Sequence, residues 1–287
     1  MINFCHIFPT HYLDQFAKYN KSHLILAHLV DFDQQYREFY ADLDDQKEKI
    51  MDNGAFEMFK RGLPMYEPSK LIEMGKHVNA DVIVLPDYPM SPYLKTIEKS
   101  KQYIEAFKEN GFKTFFVPQS QLGDIDGYIR SLEWAINNED IDVIGLSILG
   151  CPIALGLEEQ KFEDSLQYDE GYRMQRFLSR WKIFRMIDQM GLLGDKTKKR
   201  FHCLGLVDGP NEIDLLEPYT DHIRSWDSSS AFWLGACGGK LYDDSPTGLR
   251  NEKFEIEVDF SRNDLLEENL DKAIRNIEFI NQKENIA

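Results

Sequence analysis

The sequence predicts an α/β fold, a single (β/α)8 TIM-like barrel formed by residues 1–287 as one domain with an insertion around 152–199. Three observations carry this. Short apolar runs rich in β-branched and aromatic residues alternate along the chain with stretches whose apolar residues recur at three and four spacing, the signature of a parallel sheet covered by helices. The length, 287 residues of which 43% are hydrophobic, suits a barrel of about 250 residues. Finally, four of the runs end in a carboxylate or carboxamide, at Asp52, Asp87, Gln119 and Asp227. Parallel strands that carry a polar group just past their C-terminal ends bring those groups to one mouth.

In chain order, the strand candidates are His23 to Val30, Lys49 to Met51, Ala80 to Leu85, Lys113 to Val117, Ile141 to Ser147, Arg200 to Leu206, His222 to Ser225 and Phe254 to Val258. Helical periodicity covers Asp33 to Glu48, Pro68 to Val78, Leu94 to Glu109, Asp124 to Asn137 and Phe162 to Met190. Pro68-Ser69 opens one of these helices, Gly111 closes another, and Gly191 with Gly194 ends the long one. Ser261 to Gln282 repeats Leu and Ile at helical spacing and is expected to be the last barrel helix. No linker, repeat or low-complexity stretch divides the chain.

With 33 Lys+Arg against 49 Asp+Glu, the formal charge of −16 sets the average surface against polyanions, so any nucleic acid contact must be local. The one concentration of positive charge is Arg173, Arg176, Arg180, Lys182, Arg185, Lys196, Lys198, Lys199 and Arg200. It reads equally as phosphate contact or as the solvated face of an amphipathic helix. Cys5, Cys151, Cys203 and Cys237 stand far apart, which suits reduced thiols and a cytoplasmic protein. Met1 to Pro9 lacks a leader pattern, and no run approaches the roughly 20 apolar residues of a membrane span.

Each candidate residue has a plain alternative. Asp52, followed by Gly54 for close backbone approach and Phe56 for a flat face, is either a functional carboxylate or an Asx-turn or cap before a short helix from Phe56 to Lys60. Asp87, between Pro86 and Tyr88-Pro89, can accept two hydrogen bonds from an amidine-like edge or simply close a turn. Gln119 can donate and accept, as a base carbonyl requires, or cap a turn. Asp227 lies between two tryptophans and is followed by Ser228, Ser229 and Ser230; the serines can orient it as a nucleophile while the aromatics exclude water, or one of these residues caps a helix. His202 and Cys203 are neighbours on a strand, point to opposite faces and so do not share a metal; a core or pocket-wall role is expected for them. Gly145 and Gly205 are expected to admit a flat ligand.

Taken in order, these segments resemble the tRNA-guanine transglycosylase superfamily, and within it the divergent branch that inserts 7-deazaguanine bases into DNA. The family's Asp-Ser-Gly-Gly-Phe/Tyr-Gln motif is similar to Asp52-Asn53-Gly54-Ala55-Phe56-Glu57. Its glycine-rich turn resembles Ile144-Gly145-Leu146-Ser147, and its Leu-Met-Gly-Val-Gly strand resembles Cys203-Leu204-Gly205-Leu206. The resemblance covers roughly Ile50 to Gly235. It implies Asp227 as nucleophile and Asp52 as acid/base. Asn53, Gly54, Asp87, Gln119, Gly145, Ser147 and Gly205 would then surround a purine held between Phe56 and Leu204. The implied reaction replaces guanine by a 7-deazaguanine derivative through a covalent aspartyl-glycosyl intermediate, without metal or redox cofactor. The tRNA enzymes' zinc ligands have no counterpart after Asp227, where Cys237 stands alone. That departure and the acidic surface favour DNA over tRNA, with Arg173, Arg176, Arg180, Lys198 and Arg200 as the contacts to nucleic acid. The competing expectations are an N-glycosidase or nucleoside hydrolase with water as acceptor, and a non-catalytic binding subunit. A homodimer or an accessory protein is left open.

Overall fold

A computed structural model of the chain describes residues 2–44, 46–157, 170–194, 199–242 and 258–283. Eight strands form one all-parallel sheet: β1 Asn3–His6, β2 His23–Ile25, β3 Lys49–Met51, β4 Val82–Val84, β5 Lys113–Phe116, β6 Val143–Ser147, β7 Phe201–Leu204 and β8 Ile223–Ser228. The order β1-β8-β7-β6-β5-β4-β3-β2 is that of a (β/α)8 barrel whose ladder is open between β1 and β2. Nearly every strand residue is buried, because helices cover the outside and side chains fill the inside.

Side chains bridge the open seam: Asn3 Nδ2 on β1 donates to Ser22 Oγ at 3.2 Å beside β2, and Asn20 does more. Asn20 accepts the His6 N–H at 2.8 Å and donates to the His6 carbonyl at 2.9 Å, while its amide also lies 3.4 Å from Nδ1 of His23 on β2. A carboxamide thus satisfies two edge groups that a ladder partner would otherwise satisfy. Asn20 and His6 are both buried, so Asn20→Ala leaves that N–H and carbonyl unpaired. We expect a loss of about 2–4 kcal/mol in urea denaturation; a loss below half a kcal/mol would show that the seam is held by packing alone.

Seven of the predicted strands cover β2 to β8. The eighth, Phe254 to Val258, lies outside the described residues except for Val258, and the remaining strand is β1. Asn3-Phe4-Cys5-His6 is too short and too mixed in polarity to stand out in the sequence. The run from His23 to Val30 is also divided: β2 ends at Ile25, the Tyr36 hydroxyl takes the Leu26 N–H at 3.0 Å, and Ala27–Phe32 is helical. Short apolar runs fit either state.

Within the predicted insertion, the described part of the expected long helix forms Glu170–Phe177 and Ser179–Gln189. The second buries Ile183, Phe184 and Ile187, with Phe184 against Phe201 of β7, and so serves as the crossover helix between β6 and β7. The last helix is Glu267–Lys283. It packs so closely on the helix Ser230–Ala236 that a Cβ on Gly235 would come within 2.2 Å of the Ala273 nitrogen. Among the described residues no helix is long and apolar enough to cross a membrane.

Candidate active site

A cavity of about 650 Å³ opens at the C-terminal ends of the strands. Its walls include Asp52, Asn53, Phe56, Asp87, Gln119, Ser147, Leu204, Gly205 and Asp227, together with Arg173 and Arg176. The four strand-end polar groups therefore converge.

After β3 the chain makes two nested turns. Asp52 Oδ2 accepts the Gly54 N–H at 3.0 Å, and Asn53 Oδ1 accepts the Ala55 N–H at 2.8 Å, which starts the helix Ala55–Arg61. Gly54 sits at φ +72°, a conformation that favours glycine. Asp52 thus closes an Asx-turn and also lines the cavity. Phe56 is partly exposed on the cavity wall, with Lys60 Nζ 4.3 Å above its ring.

Asp87 is buried and accepts hydrogen bonds from Asn53 Nδ2, at 2.6 Å, and from Gln119 Nε2. Asn53 is steadied by a second bond to the Leu85 carbonyl at 2.7 Å. Gln119 is 1% exposed and its Oε1 has no partner among the described residues. Burial pushes the Asp87 carboxyl up to about 6, against the two donors that hold it down. Burial, then the charge of Glu57, pushes Asp52 up to about 8. Both carboxyls are thus raised, Asp52 further than Asp87. Ser147 serves the backbone as well as the wall, accepting the Leu149 and Gly150 N–H groups at 2.9 and 3.0 Å.

Asp227 Oδ1 accepts from His202 Nε2 at 2.9 Å and from the Gly205 N–H at 3.1 Å. The other ring nitrogen of His202 meets Ser225 Oγ at 2.7 Å, so serine, histidine and aspartate form one buried line across β7 and β8. This corrects the expectation that the serines after Asp227 orient it. Ser228 Oγ instead accepts the Ser230 N–H and bonds Ser230 Oγ, which continues to the Tyr242 hydroxyl. Helix Ser230–Ala236 starts there and Asp227 does not cap it.

Other predicted residues are placed elsewhere. Gly145 does not line the cavity: a Cβ there would meet the Phe115 ring at 2.5 Å and Leu204 at 2.9 Å, so its smallness serves packing beneath the floor. Gly205, at φ +73°, lines the cavity and is tight against Ile148. Arg180 is fully buried and paired with Glu212 at 2.7 Å, which removes it from any nucleic acid surface. Arg200 is exposed but precedes β7, at the barrel end opposite the cavity, so it cannot contact a ligand at the mouth. Lys198 lies outside the described residues. Arg173 remains at the mouth, with Nη2 3.7 Å from Asp208.

Sequence reasoning did not single out Glu57, Asp208 or Tyr242, all of which line the cavity, as does Trp233, one of the two tryptophans flanking Asp227. Only Glu57 carried a local signal, one helical turn beyond Asp52. Cys5, Cys151 and Cys203 are buried thiols outside any disulfide, and burial pushes Cys151 up to about 11. Among the described residues no group of three His, Cys, Asp or Glu side chains is arranged to hold a metal ion.

No family model matches the chain. No curated protein sequence matches it either. Among solved structures it is similar to a "putative fructose-1,6-biphosphate aldolase" from Coccidioides immitis, with a TM-score of 0.48 and 8% identity over 99% of this chain and 91% of that one. So distant a likeness carries no chemistry from one protein to the other.

Proposed function

We propose that this chain is a base-exchanging glycosyltransferase that replaces guanine in DNA by a 7-deazaguanine derivative. The observation that carries this reading is the convergence of Asp227 paired to His202, the Asp52 carboxyl and the hydrogen-bonded Asp87–Gln119 pair in one cavity with Phe56 and Leu204.

A purine between Phe56 and Leu204 presents its N1–H and amino group to the ionised Asp87, while Gln119 offers an acceptor already stripped of water. His202 and the Gly205 N–H fix Oδ1 of Asp227, which leaves Oδ2 to attack the anomeric carbon. Asp52, protonated at neutral pH, donates its proton to the departing base. The glycosyl ester on Asp227 is then displaced by the incoming base. Both steps pass through oxocarbenium-like states that a carboxylate stabilises. For duplex DNA the target base must leave the stack, at a cost of a few kcal/mol. Arg173, Arg176 and Lys60 supply positive charge at the mouth of an acidic protein.

The test supplies labelled guanine together with DNA, tRNA or free deoxyguanosine. We expect label to enter DNA in preference to the other two. Release of free base with no label in any acceptor would mark a hydrolase, and no turnover at all would leave a binding protein.

A further inference from the structure

Glu57 shares the cavity with Asp52 and Asp227, one turn into the helix that the Asp52–Ala55 turns initiate. Its Oε2 is buried and makes no hydrogen bond. Behind it stands His28 of the helix Ala27–Phe32, only 6% exposed, whose Nδ1 also lacks a hydrogen bond and lies 3.7 Å from that oxygen. Two buried polar atoms that face each other just beyond bonding distance have lost water without gaining a bond. Packing alone does not select such an arrangement; a working carboxylate with a backing donor explains it.

We infer that Glu57, backed by His28, keeps the transferable proton on Asp52 and thereby sets the acid that releases the base. The inference rests on the base-exchange reading above. Glu57 acts through Asp52 and is a positioning residue.

The charged and titratable surroundings support this assignment. Asp87 faces Asp52 from the end of β4, Asp227 faces Glu57 from β8, and Tyr36 and Tyr66 lie within reach of the pair. Opposing them are Lys60 and Arg61 on the helix that carries Glu57. With Asp208, five carboxyls line one cavity; they cannot all ionise cheaply, and one proton stays with Asp52 and Glu57. Burial raises both groups, Asp52 to about 8. Burial, then the charge of Arg61, holds His28 down near 4, which places an uncharged imidazole 3.7 Å behind the Glu57 carboxyl.

The proton balance closes over the reaction. When Asp227 bonds to the anomeric carbon, the carbon–nitrogen bond breaks, its electron pair goes to the base, and the Asp52 proton follows. Asp52 is then a carboxylate in the buried cavity that it shares with Glu57, and burial makes it a base toward the N–H of the incoming purine, whose nitrogen displaces Asp227. One proton leaves and one returns, with no electrons exchanged.

The test is the pH profile of base exchange in Glu57→Gln. Activity in the parent should fall as pH rises past the Asp52 titration; the variant should lose it at least one pH unit earlier, with about a tenfold lower rate at pH 8 and an unchanged KM for the base. Glu57→Asp should restore part of the profile, and His28→Asn should move it less, in the same direction. Carboxyl NMR titration of Asp52 without substrate reads the same coupling independently of turnover. Superimposable titrations in the folded parent and Glu57→Gln proteins would overturn the inference. A shifted titration in a protein devoid of base exchange would support the hold on Asp52 while removing the reaction assigned to it.

Discussion

Asp227→Ala should lower base exchange by about 10³-fold or more, and the covalent glycosyl adduct trapped by a denaturing quench of the parent reaction should be missing from the variant. The expectation follows from how narrowly Asp227 is held. Both of its bonds fall on Oδ1, one from a fully buried histidine and one from a backbone N–H at a left-handed glycine. The carboxylate plane is fixed and the second oxygen is presented to the cavity. Binding of free base should survive, because Asp87 and Gln119 stand on other strand ends and bond each other, not Asp227. The fold should survive as well, since His202 keeps Ser225 as partner. Asp227→Asn keeps the shape and loses the nucleophile, so it should match the alanine variant in turnover. An adduct of normal mass in Asp227→Ala, mapped by peptide mass spectrometry to another residue, would sink the assignment.

The barrel and the converging strand ends were legible because each depends on a local pattern. An apolar run that stops at Asp52, Asp87, Gln119 or Asp227 announces both the strand and the end at which it opens, and parallel pairing does the rest. His202 shows the opposite case. Alternation along β7 says correctly that it points away from Cys203, but not that it points inward to Asp227, which is 25 residues on and reached across a register shift at Phe201/His202. Arg180 was misread for the same reason. Among Arg173, Arg176 and Lys182 it looks like one more solvated cation, and its partner Glu212 is 32 positions away with nothing local to announce it. Asn20 carries no pattern at all; its importance comes from where the ladder happens to open.

The second large effect concerns that buried pair. Arg180 donates through Nε and Nη2 to the two oxygens of Glu212 at 2.7 and 2.8 Å, and its remaining donors reach the carbonyls of Leu146, Leu204 and Gly205. The guanidinium lies 5.2 Å from the Trp226 ring, and Glu212 also accepts the Val207 N–H at 2.8 Å. Neither side chain is exposed. Removing one charge strands the other where water cannot reach it. Arg180→Met and Glu212→Leu should each cost about 3–5 kcal/mol in urea denaturation, whereas the double variant should cost far less than their sum. The pair also has a functional reach. Arg180 holds the Leu204 and Gly205 carbonyls, and the Gly205 N–H holds Asp227, so the loop that steadies Asp227 hangs from the crossover helix Ser179–Gln189. In the double variant, the proposed base exchange should therefore fall even where the protein is fully folded, while affinity for free base should be kept if Asp87 and Gln119 bind it as proposed. Additive single and double losses would show that the two charges are buried independently, and full exchange in the folded double variant would show that the loop needs no such anchor.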